Sequence, residues 1–486
     1  MLNGPRPRPA VLHGLRELLR TPLEDRPSPR KLEGTPPAEA PAPPLPPASS
    51  TYPAHPSRWG SFFGSFLPQS VKGAILGASL LVSVATLRTP SAEGRQERPP
   101  ILYLGLNPDV EFEVGQLRRY SGASVDLIGP GPRADQVTYR GATYDLAEDE
   151  GIRRFGRALG LADDRAEAFL AAMGTVGEGA RDEAAQLVLR LADAELGLRK
   201  LERLVISGHN LGTGPWGDDN GQLPWSALGG LVAVFPNAAR QVQDLFVAAC
   251  YSGGEAAMDE YQAIFPKLST IWAYDGSAPG AASGAGTHLA RWERATRGKG
   301  DQLDRQVAVG TRKGEFVAVW TQSAGYQSGT PAVPLARAEA LYLQTADLVP
   351  LYFNGERTVE DPQQGPLRTH YARVQRLLGR RDLPADTKSR LSVERGQVAR
   401  LLFFDRIKGL FLGSYGPEID RAYQSLGLPP PDLRRASRAD TLAEIRRYQQ
   451  VLTERGNSTP EQQRVQTLLS EGLGALSPAW IPETWI

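Results

Sequence analysis

Six short apolar runs, separated by segments with helical spacing, set the strongest constraint on the fold of this 486-residue chain. Each run has four or five residues and is bounded by turn residues, which predicts strands at 101–105, 125–129, 204–207, 245–249, 270–274 and 316–320. Strands that are apolar on both faces and alternate with helices form a mostly parallel sheet covered on both sides. We therefore expect an α/β domain over residues 99–325, with a six-stranded, mostly parallel sheet and helices on both faces.

The segments between these runs carry the other predicted elements. A hairpin is predicted over 137–144, where the chain reads VTYRGATY, and helices over 150–173, 179–199, part of 228–243, 254–265 and 284–297. After Pro331 the strand pattern stops. Helical spacing predicts a helical C-terminal region over 335–486, with helices at 335–350, 366–380, 389–413, 417–426 and 439–473. This region contains no chemical motif, and the sequence leaves its role open.

The N-terminal part differs in composition from the rest of the chain. Residues 1–70 form a leader rich in Pro and Arg, which we expect to be disordered. Residues 71–90 contain Lys72 and the uncharged run 73–87, which is short for a bilayer span of about 20 residues. Together with the small residues around Ser83 and Ala85, this run is typical of a signal peptide.

Two alternatives to a signal peptide stay open for 71–90. The segment could anchor the protein in a membrane, since basic residues precede it, or it could be a core helix. A signal peptide normally has only a few residues before its apolar run, and a start of translation at Val71 would explain the long stretch here, because Val codons can initiate in bacteria. A signal peptide or an anchor would place the folded part outside the cytoplasm, in the periplasm or beyond; a cytoplasmic protein is the alternative.

Charge and cysteine content exclude several kinds of partner and site. The net charge is +1, from 55 basic and 54 acidic residues, without the basic patch typical of nucleic-acid binding. Cys250 is the single cysteine, so neither an internal disulfide nor a Cys-rich zinc site can form. No Walker loop, HExxH or GxSxG motif is present. We expect no cofactor and no metal, apart from a possible Ca²⁺ considered below.

Three predicted strands are each followed by a residue that can act as a nucleophile, an acid or a base: His209, Cys250 and Asp275. The carboxyl ends of parallel strands meet at one edge of a sheet, where ligands bind in such folds. A cysteine thiolate is a nucleophile, and a histidine that the fold brings close can take its proton. The 41 positions between His209 and Cys250 leave room for one crossover helix. The other histidines lie in the leader, in a predicted helix or in the C-terminal helices: His13, His55, His288 and His370.

The residues around both strand ends resemble those of caspases, metacaspases and their relatives. In that family one strand ends in Ser-Gly-His-Gly and the next in a small residue, Cys, any residue and then Gly or Ser-Gly. This chain has 207–209 as Ser-Gly-His and 249–253 as Ala-Cys-Tyr-Ser-Gly, which is especially similar to the metacaspase form. The resemblance covers about residues 99–325 and implies the caspase–hemoglobinase fold.

The resemblance implies a cysteine endopeptidase acting on a peptide or protein substrate. Cys250 would attack the scissile carbonyl, and His209 would protonate the leaving amine and later activate water. The oxyanion would be bound by the backbone N–H of Cys250 with one from Gly208 or Asn210.

The chain departs from the family pattern at two positions. Asn210 stands where the family usually has Gly, and Ala248 stands where metacaspases tend to have the Asp that favours basic substrates. Asp275 could supply that charge to a specificity pocket, or Asp275-Gly276 could be a simple turn. Asp218 and Asp219 could bind Ca²⁺ or a basic substrate, or form a solvated turn.

These departures leave two alternatives to a peptidase. One is a catalytically inactive caspase-fold protein that binds a peptide or protein partner in the same crevice. The other is a transferase or a non-peptide hydrolase that depends on the same cysteine.

Overall fold

The central sheet has seven strands, one more than the sequence predicts. The computed structural model describes residues 100–131, 135–217, 220–280, 284–297, 316–482 and 485. Its strands in chain order are β1 (Ile101–Gly105), β2 (Val125–Ile128), β3 (Gln136–Tyr139), β4 (Ala142–Asp145), β5 (Arg203–Ser207), β6 (His209–Asn210), β7 (Pro215–Trp216), β8 (Asp244–Ala248), β9 (Thr270–Tyr274), β10 (Val317–Thr321) and β11 (Gly325–Ser328). The central sheet has the order β11-β10-β9-β8-β5-β1-β2.

All six predicted runs lie in this sheet, and the prediction of six strands is wrong by one. The five strands β2, β1, β5, β8 and β9 are parallel, whereas β10 and β11 are antiparallel at one edge. The extra strand, β11, reads GYQS and is half-buried along its whole length. It has no apolar run, because an edge strand with one partner does not need two buried faces.

The structure confirms the predicted hairpin and contradicts one predicted helix. The hairpin predicted over 137–144 is confirmed, since β3 and β4 pair in an antiparallel register. The single helix predicted over 150–173 is wrong, because the chain forms two helices there. Gly160 lies between them with a φ of 78°, a left-handed conformation that ends a helix.

Helices cover both faces of the sheet. In this part they are α1 (Val110–Ser121), α2 (Asp149–Ala158), α3 (Asp163–Gly174), α4 (Arg181–Glu195), α5 (Trp225–Ala233), α6 (Pro236–Ala239), α7 (Glu255–Ile264) and α8 (Gly286–Arg297). Leu204 and Ile206 of β5 belong to the core on one face and Val205 to the core on the other. This alternation explains why the strands read as continuous apolar runs.

The rest of the described chain is helical, as predicted, but the single helices predicted over 389–413 and 439–473 are wrong, because each range is divided between separate helices. It contains α9 (Leu335–Ala346), α10 (Leu348–Phe353), α11 (Gly365–Leu378), α12 (Ala385–Leu402), α13 (Phe404–Ser425), α14 (Arg438–Arg455), α15 (Pro460–Thr467) and a π-helical turn at Leu468–Gly474. The helix break predicted between 413 and 417 is wrong, because α13 continues through both positions and contains Pro417. Phe411 and Ile419 on either side are buried in one core, and their packing offsets the hydrogen bond that the proline removes.

A third core joins these helices to the sheet. It contains residues of the C-terminal helices together with Leu211 and Trp216, which follow β5. Residues Arg98–Ile486 form one compact unit, and a domain boundary between 325 and 335 stays a prediction. The leader 1–70 and the segment 71–90 lie outside the described residues. Within the described part, no helix has the length and apolar character that a membrane span requires.

Candidate active site

His209 and Cys250 follow the ends of two neighbouring parallel strands. In the register of β5 and β8, Ser207 lies opposite Ala248, and each candidate residue comes two positions later. Parallel strands lie about 4.8 Å apart, so the two turns begin side by side at the carboxyl edge of the sheet. Asp275 follows β9, the next strand along. The strand order thus brings the three strand ends together, as the sequence predicted.

The side chain of Asn210 links the two turns. Its Nδ2 donates a hydrogen bond to the carbonyl oxygen of Cys250 at 2.9 Å. Its Oδ1 accepts hydrogen bonds from the N–H groups of Gly212 at 2.8 Å and Gly214 at 3.3 Å. Asn210 is 2% exposed, so its side-chain amide depends on these partners for its hydrogen bonds. The residue that departs from the family pattern therefore closes its own loop and holds the cysteine turn.

The thiol of Cys250 is partly buried and accepts a hydrogen bond. The N–H of Ala278 donates to its Sγ at 3.3 Å. Burial raises the pKa of the Cys250 thiol, while the Ala278 N–H and the positive charge of Arg368 lower this pKa and only partly offset the effect of burial.

The backbone around Cys250 is held in an unusual conformation. Tyr251 has a φ of 52°, in the left-handed region, and its N–H donates to the carbonyl of Gly276 at 2.8 Å. The hydroxyl of Ser252 donates to the carbonyl of Ala249 at 2.7 Å. The cysteine turn is thus fixed both from within and from the turn after β9.

The imidazole of His209 packs on an indole ring. In the pairing of β6 with β7, His209 lies opposite Trp216, and the ring centroids are 4.7 Å apart. Trp216 is 3% exposed and belongs to the core of the C-terminal helices. Its packing limits the orientations that the histidine ring can adopt.

One of the three backbone N–H groups predicted to bind an oxyanion already has a hydrogen-bond acceptor in the structure. The N–H of Gly208 donates to the carbonyl of Ala248 at 3.4 Å, which extends the hydrogen bonding between β5 and β8 by one residue. Of the three predicted donors, this leaves the N–H groups of Asn210 and Cys250 as candidates, one in each turn.

Asp275 connects the end of β9 to the segment at the end of β11. Its Oδ2 accepts a hydrogen bond from the hydroxyl of Ser328, and its Oδ1 accepts one from the hydroxyl of Thr330 at 3.0 Å. Both oxygens therefore bind the segment at the end of β11, and a role in specificity stays a prediction. Asp218 and Asp219 lie outside the described residues.

The histidines of the helices have partners elsewhere. His288 Nδ1 lies 3.0 Å from the hydroxyl of Tyr274. His370 is fully buried, with Nε2 at 2.9 Å from Glu394 and Nδ1 at 3.0 Å from Thr345. Both belong to side-chain networks that hold helices or strands in place.

The C-terminal helices supply site residues that sequence reasoning missed. Arg368 of α11 donates from Nη2 to the hydroxyl of Ser277 at 3.0 Å. Its guanidinium lies 5.9 Å from the ring centroid of Tyr251 and 5.2 Å from that of Tyr371. Gln375 donates to the carbonyl of Leu211 at 3.5 Å. In the sequence, Arg368 looks like any polar position on an amphipathic helix, and no local pattern marks it.

Comparison with known proteins gives one distant likeness. No known family model matches the chain, and no curated protein matches its sequence. Among solved structures, a secreted C11 cysteine protease from Bacteroides thetaiotaomicron, determined in complex with an irreversible peptide inhibitor, is similar over 56% of this chain and 74% of its own. The two share 11% sequence identity with a TM-score of 0.25. A likeness at this level assigns neither a family nor an activity to this chain.

Proposed function

We propose that this protein is a cysteine endopeptidase in which Cys250 is the nucleophile and His209 its acid–base partner. The observation that carries the proposal is the pairing of Ser207 with Ala248, two residues before the two candidates. The hydrogen bond from Asn210 to the Cys250 carbonyl supports it, because it keeps the two turns together.

The proposed reaction begins with proton transfer from the Cys250 thiol to His209. The sulfur then attacks the scissile carbonyl carbon, forming a C–S bond and an oxyanion that the N–H groups of Cys250 and Asn210 stabilise. When the oxyanion collapses, the C–N bond breaks and His209 gives its proton to the leaving amine. His209 next takes a proton from water, whose oxygen attacks the thioester carbon. The C–S bond then breaks, the carboxylic acid leaves, and His209 returns its proton to the sulfur, which restores the thiol.

The buried environment of Cys250 favours the neutral thiol in the free protein. Burial raises the pKa of this thiol, so the proton transfer to His209 is expected to accompany substrate binding. We therefore expect Cys250 to react slowly with small alkylating reagents at neutral pH and to react faster with a bound peptide.

The test compares the full-length protein with Cys250→Ala and His209→Ala on a peptide library. We expect cleavage by the wild type alone. A peptide carrying an electrophilic ketone should add one inhibitor mass, and the adduct should map to Cys250. Equal cleavage by the wild type and Cys250→Ala would refute the peptidase. Peptide binding without cleavage or adduct would instead support the inactive, peptide-binding alternative.

A further inference from the structure

Helix α11 is seated along the segment that carries Cys250. The N–H of Ala256 donates to the carbonyl of Gly379, at the end of this helix, at 3.2 Å. Gly254 and Gly379 pack so closely that a Cβ on Gly254 would overlap the Gly379 Cα. Near the start of the helix, Arg368 contacts Tyr251 and Ser277. The helix therefore meets this segment at both of its ends.

Arg368 carries a charge with no acidic partner among the described residues. Its contacts there are the Ser277 hydroxyl and the two tyrosine rings of Tyr251 and Tyr371. Arg368 is half-buried, so water screens its charge less than at an open surface, although its hydrogen bond to Ser277 is exposed. An arginine held in this way acts on nearby ionisable groups, and Cys250 is one of them.

The backbone of Ser277 and Ala278 connects Arg368 to the sulfur of Cys250. The side chain binds Ser277, and the next residue, Ala278, donates its N–H to Cys250 Sγ. A shift of this turn by a few tenths of an ångström would weaken that hydrogen bond.

We propose that Arg368 is a positioning residue for Cys250, holding the Ser277–Ala278 turn against the sulfur and stabilising the thiolate by its positive charge. The C-terminal helical region is then part of the site. The role rests on the proposed function, in which Cys250 reacts as a thiolate. The other ionisable side chains of the strand-end turns are His209, Tyr251 and Asp275, and Tyr371 belongs to the same helix as Arg368.

The single cysteine allows a direct test by alkylation. Full-length wild type, Arg368→Gln and Arg368→Lys are treated with iodoacetamide across a pH series, and adduct formation is followed by intact mass. Arg376→Gln is the matched control, because Arg376 is an exposed arginine of the same helix. Circular dichroism and thermal unfolding establish that each variant is folded.

Removing the charge should slow alkylation by about threefold or more at pH 7, because less thiolate is present. The pH profile of Arg368→Gln should move to higher pH, while those of Arg368→Lys and Arg376→Gln should stay with the wild type. Faster alkylation of Arg368→Gln would mean that Arg368 merely shields the thiol and would overturn the proposal. An unchanged profile, or the same shift in Arg368→Lys as in Arg368→Gln, would also overturn it.

This readout separates the two proposals, because alkylation requires no peptide cleavage. If Cys250→Ala cleaves peptides as well as the wild type does, the peptidase proposal fails whatever the alkylation profile shows. If the wild type is an active peptidase and the Arg368→Gln profile is unchanged, only the role of Arg368 fails.

Discussion

Asn210 Nδ2 lies 2.9 Å from the carbonyl oxygen of Cys250, so one buried side chain joins the turns that follow two neighbouring strands. Glycine at this position would free the backbone but could not make this bond. The same side chain accepts two N–H groups of its own loop. The departure from the family pattern thus has a structural reason.

Replacing Asn210 by Ala should destabilise the protein by about 1–3 kcal/mol, because buried hydrogen-bonding groups lose their partner. It should also slow peptide cleavage, since the two turns are no longer tied together. Urea unfolding and cleavage rates measure the two effects. Asn457→Ala is the control, because Asn457 is exposed. Equal stability of Asn210→Ala and the control would contradict the structural role.

The substitution Gly254→Ala should push the end of α11 away from the segment that carries Cys250. The added Cβ would meet the backbone of Gly379, which cannot rotate aside, so we expect a loss of about 1–3 kcal/mol of unfolding free energy. Gly115→Ala is the matched control: it lies in α1, where a Cβ meets nothing within 4 Å. That substitution should stabilise the protein by about 0.5–1 kcal/mol. Urea unfolding of both variants checks the pair, and no difference between them would contradict the contact.

Glu183 should make stability depend on pH near neutrality. Burial raises the pKa of its carboxyl from 4.5 to about 7, with the Gly131 N–H acting in the opposite direction and neighbouring Asp182 adding to the rise. The folded state therefore prefers the protonated form. The resulting stabilisation is complete below pH 4.5 and is lost as the pH rises through about 7.

Glu183→Gln should remove this dependence while keeping an oxygen for the Gly131 N–H, which the Glu183 Oε1 now accepts at 2.6 Å. The unfolding free energy of the variant, measured by urea titration across this pH window, should vary less with pH than that of the wild type. Glu167→Gln, at an exposed position, should leave the wild-type slope unchanged. A Glu183→Gln slope equal to that of the wild type would refute the assignment.

Asp275→Asn should distinguish a specificity role from a structural one. If the carboxylate also recognises a basic side chain, cleavage after Arg or Lys should fall by about tenfold or more, while cleavage of neutral peptides persists. The measurement is kcat/KM on matched peptide pairs. An equal fall for both peptide classes would show that Asp275 acts only by holding Ser328 and Thr330.

If residues 71–90 are a cleaved signal peptide, the mature protein should begin near residue 86. Edman sequencing or mass spectrometry of the protein from its native cell fractions gives the answer. An intact leader on protein recovered from the cytoplasm would contradict export.

The sequence predicts the parts of this molecule that depend on local patterns. Continuous apolar runs find the five inner strands because both faces of each are buried, and a similar run also marks the edge strand β2. Turn residues locate His209 and Cys250 just after the ends of two inner strands. The polar edge strand β11 has no such pattern. Arg368 lies 91 positions from its partner Ser277, and Gly254 meets Gly379, which lies 125 positions away. Such contacts depend on how whole helices dock, which no local pattern encodes.

The placement of Leu211 and Trp216 in the core of the C-terminal helices limits how this protein can be shortened. A truncated product ending near residue 330 would leave both apolar side chains facing water beside the cysteine turn. Such a fragment would be prone to aggregation, and low activity of the fragment would not count against the roles proposed for Cys250 and His209. Expression studies should therefore keep the chain through Ile481, whose side chain is fully buried in the same core.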